Sequence, residues 1–319
     1  DLLVDLLKIK SISTIPDYAD ECYQAAGWLK AFLDSFGMDA IIYESEGHPI
    51  VFSDYQTSRP EAKTILFYGH YDVQPVDPVS LWDSDPFDPV LSSIDNEPCI
   101  IARGASDDKG QLLTFLIALK YIKNEVGELP FSLKIILEGE EECGSKTLPI
   151  FLEDYKDKLS ADIAYVCDTG MWDKDTPAIT RSLRGLLSEE FKIIGPDRDL
   201  HSGEFGGVAW NPIRIITKIL SDVYDDEGKV TIPNFYDGVN EVNKNIINSW
   251  KKLTFNETEY LNKIGQKSSS GETGRSIFEK TWSRPTFEIN GIFGGYTDEG
   301  TKTVIPSEAN AKLTCRLVG

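Results

Sequence analysis

Through the first half of the chain, short runs of apolar, β-branched and aromatic residues alternate with longer stretches in which apolar positions recur at helical spacing. Residues 19–36 and 109–123 carry the helical pattern, and residues 39–43, 64–68, 100–103, 132–137 and 163–166 the strand pattern. Two of these runs, 64–68 and 163–166, are apolar throughout, which predicts strands buried on both faces. Such alternation predicts an α/β fold, a parallel or mixed sheet with helices on both faces, whose interior strands present chemistry at their C-terminal ends. From about Arg181 the texture changes. Residues 185–194, 286–292 and 311–317 read as strands with interspersed polar positions and 211–223 as a helix, predicting a second, smaller α+β layer. No repeat of 20–50 residues is visible, and the Ser/Gly-rich stretch 267–274 reads as a surface loop.

Composition narrows the class of molecule. A chain of 319 residues with 41% hydrophobic content buries roughly three-quarters of its unfolded surface, enough for one large domain or two ordinary ones. A formal net charge of -20 repels nucleic acid and anionic membranes, so neither is expected as a partner. The longest apolar run, 112–119, is stopped by Lys120, too short for a membrane span. Five scattered cysteines, Cys22, Cys99, Cys143, Cys167 and Cys315, do not form the dense even framework of a small secreted domain; a reducing cytoplasm is expected. The sequence opens on Asp1 without a basic or apolar leader, and the absent initiator Met implies that some residues precede it.

Candidate chemistry lies just after the predicted strands. Gly69-His70-Tyr71-Asp72 follows the run 64–68. In extended backbone His70 and Asp72 point the same way, so the carboxylate can accept from one ring nitrogen and leave the other for a metal. A solvated turn gives the same bare pattern. Gly104-Ala105-Ser106-Asp107-Asp108-Lys109 precedes the helix at 109, where two acids suit either a ligand site or a helix cap. Glu138-Gly139-Glu140-Glu141-Glu142-Cys143-Gly144-Ser145 follows 132–137 and is either a solvated charge run or a further ligand source. Asp168 repeats the strand-then-acid arrangement after 163–166. Taken together, these are four acid-bearing strand ends in one layer with one imidazole. Carboxylates brought together in this way stay ionised only beside a cation. His with Asp and Glu is a ligand set for Zn²⁺, with Mn²⁺ or Co²⁺ as alternatives.

The segments Gly69-His70-Tyr71-Asp72-Val73-Gln74-Pro75, 82–86, Gly104-Ala105-Ser106-Asp107-Asp108-Lys109-Gly110, Glu140-Glu141-Glu142-Cys143-Gly144-Ser145 and Asp199-Leu200-His201-Ser202-Gly203 resemble, in order and spacing, the carnosinase-like zinc dipeptidases. These belong to a group of co-catalytic zinc peptidases and deacylases that includes acetylornithine deacetylase, succinyl-diaminopimelate desuccinylase and carboxypeptidase G. The resemblance implies a mixed-sheet catalytic domain over 1–180, a ferredoxin-like dimerisation or lid domain over 181–319, a homodimer, and two divalent cations. By the same resemblance His70 binds one metal, Asp107 bridges both, Glu142 completes the first site and Asp168 belongs to the second. Glu141 is then the general base, with Asp72 supporting His70. Matching on Glu-Glu-x-Gly-Ser selects Glu141 and Glu142 over Glu140 and Glu141. Asp at 168 is more like the aminopeptidase and dipeptidase members than the deacylases and carboxypeptidases.

In the second domain His201 matches a histidine that reaches the partner subunit's active site to stabilise an oxyanion. Thr303 and Arg316 match substrate contacts, Arg316 as the partner of a substrate carboxylate. A final histidine ligand is expected from a C-terminal segment, yet the sequence has only His48, His70 and His201, and His48 in its Gly-His-Pro turn reads as structural. Either the catalytic domain continues beyond Gly319 or the protein has lost this ligand. Hydrolysis of the peptide bond of dipeptides is the expected activity. The rivals are an N-acyl amino acid deacylase or desuccinylase using the same site, a non-catalytic dimerising or metal-buffering relative, and an α/β scaffold with scattered acids.

Overall fold

In the computed structural model, which describes residues 1–94 and 96–319, the chain divides into two units, Asp1–Ile179 and Thr180–Gly319. The first contains, in order, α1 (Leu2–Leu7), α2 (Ala19–Asp34), β1 (Ile41–Tyr43), β2 (Ile50–Tyr55), β3 (Thr64–His70), β4 (Val90–Ile94), β5 (Glu97–Ile101), α3 (Lys109–Val126), β6 (Ser132–Glu138), α4 (Leu148–Asp154) and β7 (Ile163–Val166). Five strands form a mixed sheet in the order β1-β2-β6-β3-β7: β3 runs parallel to β6 and β7, while β2 is antiparallel to both β1 and β6.

Period-two side-chain alternation sorts this sheet into two cores. Leu133, Ile135 and Leu137 of β6, with Val51 and Phe67, pack against Leu29 and Leu33 of α2 and Leu112 and Leu116 of α3. On the other face Ile136, Ile50 and Phe52 meet Phe151 of α4. Helices therefore cover both faces, and every residue of the central strand β6 is buried.

Two strand expectations are corrected. The 163–166 run is an edge strand, with Ile163 48% and Val166 58% exposed, because among the described residues only β3 pairs with it. The strand expected at 100–103 is instead β5, 97–101, and pairs with β4 as a separate hairpin outside the main sheet. Three acid-bearing segments therefore leave the five-stranded sheet and the fourth leaves a hairpin. The strand β2 and helices α1 and α4 carry no expectation from the pattern; the Ile50-Val51-Phe52 triplet behind the Gly-His-Pro turn is the cue for β2.

The second unit comprises β8 (Gly185–Ile194), β9 (Leu200–His201), α5 (Ser202–Phe205), α6 (Pro212–Asp222), α7 (Lys244–Trp250), α8 (Glu257–Lys263), β10 (Thr286–Gly294), β11 (Val304–Ile305) and β12 (Glu308–Leu317). An antiparallel sheet in the order β10-β12-β8 carries α6 on one face, where Ile216 and Leu220 bury against Ala309 and Ala311. Helix α6 begins cleanly because the Asn211 side chain accepts the Ile213 N–H and Pro212 occupies the first turn. Among the described residues no helix is long and apolar enough to cross a membrane.

Candidate metal centre

Parallel pairing fixes where the chemistry collects. His70 of β3 is level with Glu138 of β6, and Tyr68 is level with Val166 of β7, so the segments after all three strands leave from the same sheet edge. His70 ends β3 fully buried. Its Nδ1 lies 3.1 Å from the Asp72 carbonyl and 3.3 Å from Asp72 Oδ1, and its Nε2 lies 3.1 Å from Asp107 Oδ1 and 3.7 Å from Asp168 Oδ2. The three donor atoms of His70, Asp107 and Asp168 fall within 4.8 Å of one another. Ligands about 2.1 Å from a tetrahedral zinc are separated by roughly 3.4 Å, so the observed 3.1 and 3.7 Å bracket the spacing such an ion imposes.

Asp108, beside Asp107, is the N-cap residue of α3 but does not cap it with its side chain. It is instead 1% exposed, its Oδ2 accepts the His70 N–H at 3.2 Å, and its Oδ1 has no hydrogen-bond partner among the described residues. Gly69 makes room for it, since a Cβ there would sit 3.1 Å from Asp108 Oδ2 and 3.3 Å from Leu112 Cδ1. The Asp-Asp pair in the sequence does not reveal that its second member is the buried one.

The glutamate run is divided by a 3₁₀ turn at Glu141–Cys143. Glu140, 5% exposed, turns away from His70 to accept the His48 N–H at 3.0 Å and the Thr147 N–H at 2.7 Å. Glu141 and Glu142 donate their backbone N–H groups to the two oxygens of Asp72, at 3.2 and 3.0 Å. The Glu142 carboxylate receives the Gln74 amide at 2.6 Å and lies outside the three-donor group. Asp72 is fully buried and also accepts the Ser13 hydroxyl at 2.6 Å. Ser13 carried no signal in the sequence, because its partner is 59 residues away, and Gln74, though inside the matched His70 segment, gave no sign of its bond to Glu142, 68 residues on. His48, as expected, serves structure: its Nε2 lies 3.0 Å from the Ser13 carbonyl.

The electrostatics follow from burial beside like charge. Burial works against a charged His70, but Asp72, Asp108 and Asp168 outweigh it and raise the pKa to about 10. Burial raises Asp108 to about 7 despite the opposing pull of His70, with Asp168 and Asp107 adding to the rise. Glu141, Glu142 and Asp168 are likewise pushed above the ordinary carboxylate range, first by burial and then by neighbouring carboxylates that include Asp107. A single imidazole does not offset this cluster, and a divalent cation does. The donor set and spacing fit one.

In the second unit His201 of β9 is paired with Val304 of β11. Its Nδ1 accepts the Gly203 N–H at 2.9 Å, which leaves the proton of the neutral ring on Nε2, 3.4 Å from Thr303 Oγ1. Gly203 lets the ring lie against this turn, since a Cβ would come within 2.7 Å of His201 Cε1. Arg316 lies on β12 between Thr286 and Leu186, exposed. His201 and Thr303 are thus brought together within this unit.

A family model described as Peptidase family M20/M25/M40 matches residues 66–309. The Beta-Ala-His dipeptidase of Homo sapiens is 34% identical over 272 residues, covering 85% of this chain and 53% of that protein. A Cys-Gly metallodipeptidase of Schizosaccharomyces pombe is 32% identical over 272 residues, covering 85% of this chain and 56% of that protein. The crystal structure of an M20 family metallo-carboxypeptidase from Sulfolobus solfataricus superposes with a TM-score of 0.84 at 36% identity, covering 99% of this chain and 70% of that one. The chain spans about half the length of the curated relatives it matches. With the match running through His70, Asp107, the Glu141–Cys143 turn and Asp168 and on across most of the second unit, the chain belongs to peptidase family M20/M25/M40.

Proposed function

We propose that this protein is a metal-dependent hydrolase that cleaves the peptide bond of dipeptides or small peptides. The observation that carries the reading is the placement of His70 Nε2, Asp107 and Asp168 at metal-ligand spacing, with the solvent-accessible Glu141 close enough to feel their charge. His70, Asp107 and Asp168 would hold divalent cations, two in number and Zn²⁺ in preference to Mn²⁺ or Co²⁺, with Glu142 joining from its turn. When bound, the cations polarise the scissile carbonyl and lower the pKa of a water toward neutrality. Asp72 holds the His70 proton on Nδ1, so that Nε2 faces Asp107 and Asp168 as a lone-pair donor. Glu141, its proton affinity raised by burial, takes the proton of the attacking water and returns it to the leaving amine.

Residues 1–180 form the catalytic domain and 181–319 the dimerisation or lid domain of a homodimer in this reading. His201 then serves the neighbouring subunit's site, its Nε2–H donating to the developing oxyanion. Thr303 and Arg316 contact the substrate, Arg316 through its carboxylate. The five unpaired thiols fit a cytoplasmic setting. The test is Glu141→Gln, measured by zinc stoichiometry and dipeptide turnover. Zinc binding should persist while turnover falls by a factor on the order of 10² to 10⁴; unchanged turnover removes Glu141 from the role.

A second reading, carboxypeptidase action, is favoured by the 36% identity to the Sulfolobus solfataricus metallo-carboxypeptidase. Assaying free dipeptides beside N-blocked peptides and N-acyl amino acids separates the readings. A dipeptidase needs the free amine, a carboxypeptidase accepts the blocked peptide, and a deacylase accepts the acyl amino acid.

A further inference from the structure

Ahead of α2, the chain touches Asp72, the residues on either side of it and the start of α3. Ser13 Oγ donates to Asp72 Oδ2 at 2.6 Å. Ser11 Oγ donates to the Tyr71 carbonyl at 2.7 Å, the Val73 N–H returns a bond to the Ser11 carbonyl at 2.9 Å, and Ile12 bridges Val73 in parallel register. Lys109, the residue after the Asp107-Asp108 pair, is fully buried with its ammonium on the carbonyls of Leu6 at 3.1 Å and Ile9 at 2.7 Å. Residues 6–13 are thus fastened to the chain on both sides of Asp72 and to the start of α3.

We infer that residues 6–13 form a positioning strap for the metal centre, acting through the Ser13 hydroxyl on Asp72. An ionised carboxylate offers about four acceptor positions; in Asp72 three receive hydrogen bonds and the fourth faces His70 Nδ1, which also lies 3.1 Å from the Asp72 carbonyl. Oδ1 receives the Glu141 N–H and faces His70 Nδ1; Oδ2 receives the Glu142 N–H and the Ser13 hydroxyl. Three of these donors belong to segments that carry candidate ligands or the candidate base, and they move with those segments. Ser13 is the fourth and comes from outside them. It is also the shortest of the four contacts, so it holds the carboxylate plane at the orientation that serves His70 and the Glu141–Cys143 turn together. Without it the carboxylate can turn toward the remaining donors, and His70 Nε2 loses its fixed aim at Asp107 and Asp168. Ser13 is a positioning residue in this account, and its role rests on the metal-centre reading.

The test compares Ser13→Ala with Ser11→Ala, a second buried hydroxyl of the same segment that bonds a backbone carbonyl instead of Asp72. Zinc affinity is measured by calorimetry at a temperature where circular dichroism shows all variants folded, and the His70 tautomer by ¹⁵N NMR of the imidazole. Loss of an outer hydrogen-bond partner of a metal ligand lowers affinity by about 10- to 100-fold; one bond further out, Ser13→Ala is expected at the lower end, about tenfold. Ser11→Ala should lower zinc affinity less than Ser13→Ala does, Ser13→Thr should restore it, and the ¹⁵N spectrum of zinc-loaded Ser13→Ala should show the two His70 tautomers mixing. Equal zinc affinity in Ser13→Ala and Ser11→Ala, with an unchanged tautomer, overturns the strap while leaving the metal centre intact. Absence of zinc binding in the unsubstituted protein overturns both.

Discussion

Asp72→Asn keeps the shape of a fully buried side chain and halves its capacity to accept hydrogen bonds. The carboxylate takes Ser13 Oγ at 2.6 Å, the Glu142 N–H at 3.0 Å and the Glu141 N–H at 3.2 Å, and faces His70 Nδ1 at 3.3 Å. An amide oxygen serves two donors at most, and its NH₂ confronts the other two. The least costly flip points the NH₂ at Ser13 and Glu142, because the serine hydroxyl can rotate to accept. The Glu142 N–H is then orphaned, at about 1–3 kcal/mol, and the surviving contacts each lose charge assistance worth about 1 kcal/mol, giving a total of about 4–6 kcal/mol. One effect opposes this loss. Removing a negative charge relieves repulsion with Glu138, Glu141 and Glu142, but only while no cation screens them. Urea unfolding at neutral pH, in saturating zinc and in chelator, separates the two effects: the loss in zinc should approach the full figure and the loss in chelator should be distinctly smaller. A zinc-saturated variant within about 1 kcal/mol of the parent, or equal losses in both conditions, would refute the account of Asp72 as the saturated hub of a cation site.

Gly47→Ala should be severe for a surface turn, since the new Cβ would fall 1.9 Å from Glu140 Oε1 and 2.6 Å from Thr147 Oγ1. Displacing Glu140 costs its two charge-assisted N–H bonds, about 3–5 kcal/mol in urea unfolding; in a Glu140→Ala background the added cost should nearly vanish, and its persistence would clear Glu140 of blame. Stability of the chelated protein should fall from about pH 4 to 7. Burial raises Asp108 from 3.8 to about 7, so its contribution is complete below the unfolded value and is lost as pH climbs through the folded one. Above pH 7 the raised His70, at about 10, and the buried Lys109, lowered to about 7, act with opposite signs. Thermal melts in EDTA check this, and a melting temperature that rises between pH 4 and 7 contradicts it.

Runs of sequence locate residues along the chain, whereas a metal centre is defined by lateral neighbours, and that difference accounts for what was and was not legible. The strands ending at His70, Glu138 and Val166 were readable because their apolar content is local, and the acids following them were readable as a class. Sheet order was not. Nothing within 163–166 distinguishes an edge strand from a central one, so its exposure became visible only with the pairing of β3 to β7. The hairpin origin of the Asp107 segment was hidden for the same reason. Within the acid clusters, three-dimensional partners sort residues that the sequence presents as equivalent: Glu140 goes to the backbone of His48 and Thr147, Glu142 to Gln74, and Asp108 beneath His70. Ordinary folding pressure would pair such charges or expose them. Here the one fully buried lysine nearby is spent on the carbonyls of Leu6 and Ile9, leaving Asp108 Oδ1 without a hydrogen-bond partner among the described residues beside a raised and crowded set of carboxyls. A fold that retains so much like charge around one imidazole, and holds it in register from a saturated Asp72 and a wholly buried central strand, is organised for a cation rather than for its own stability.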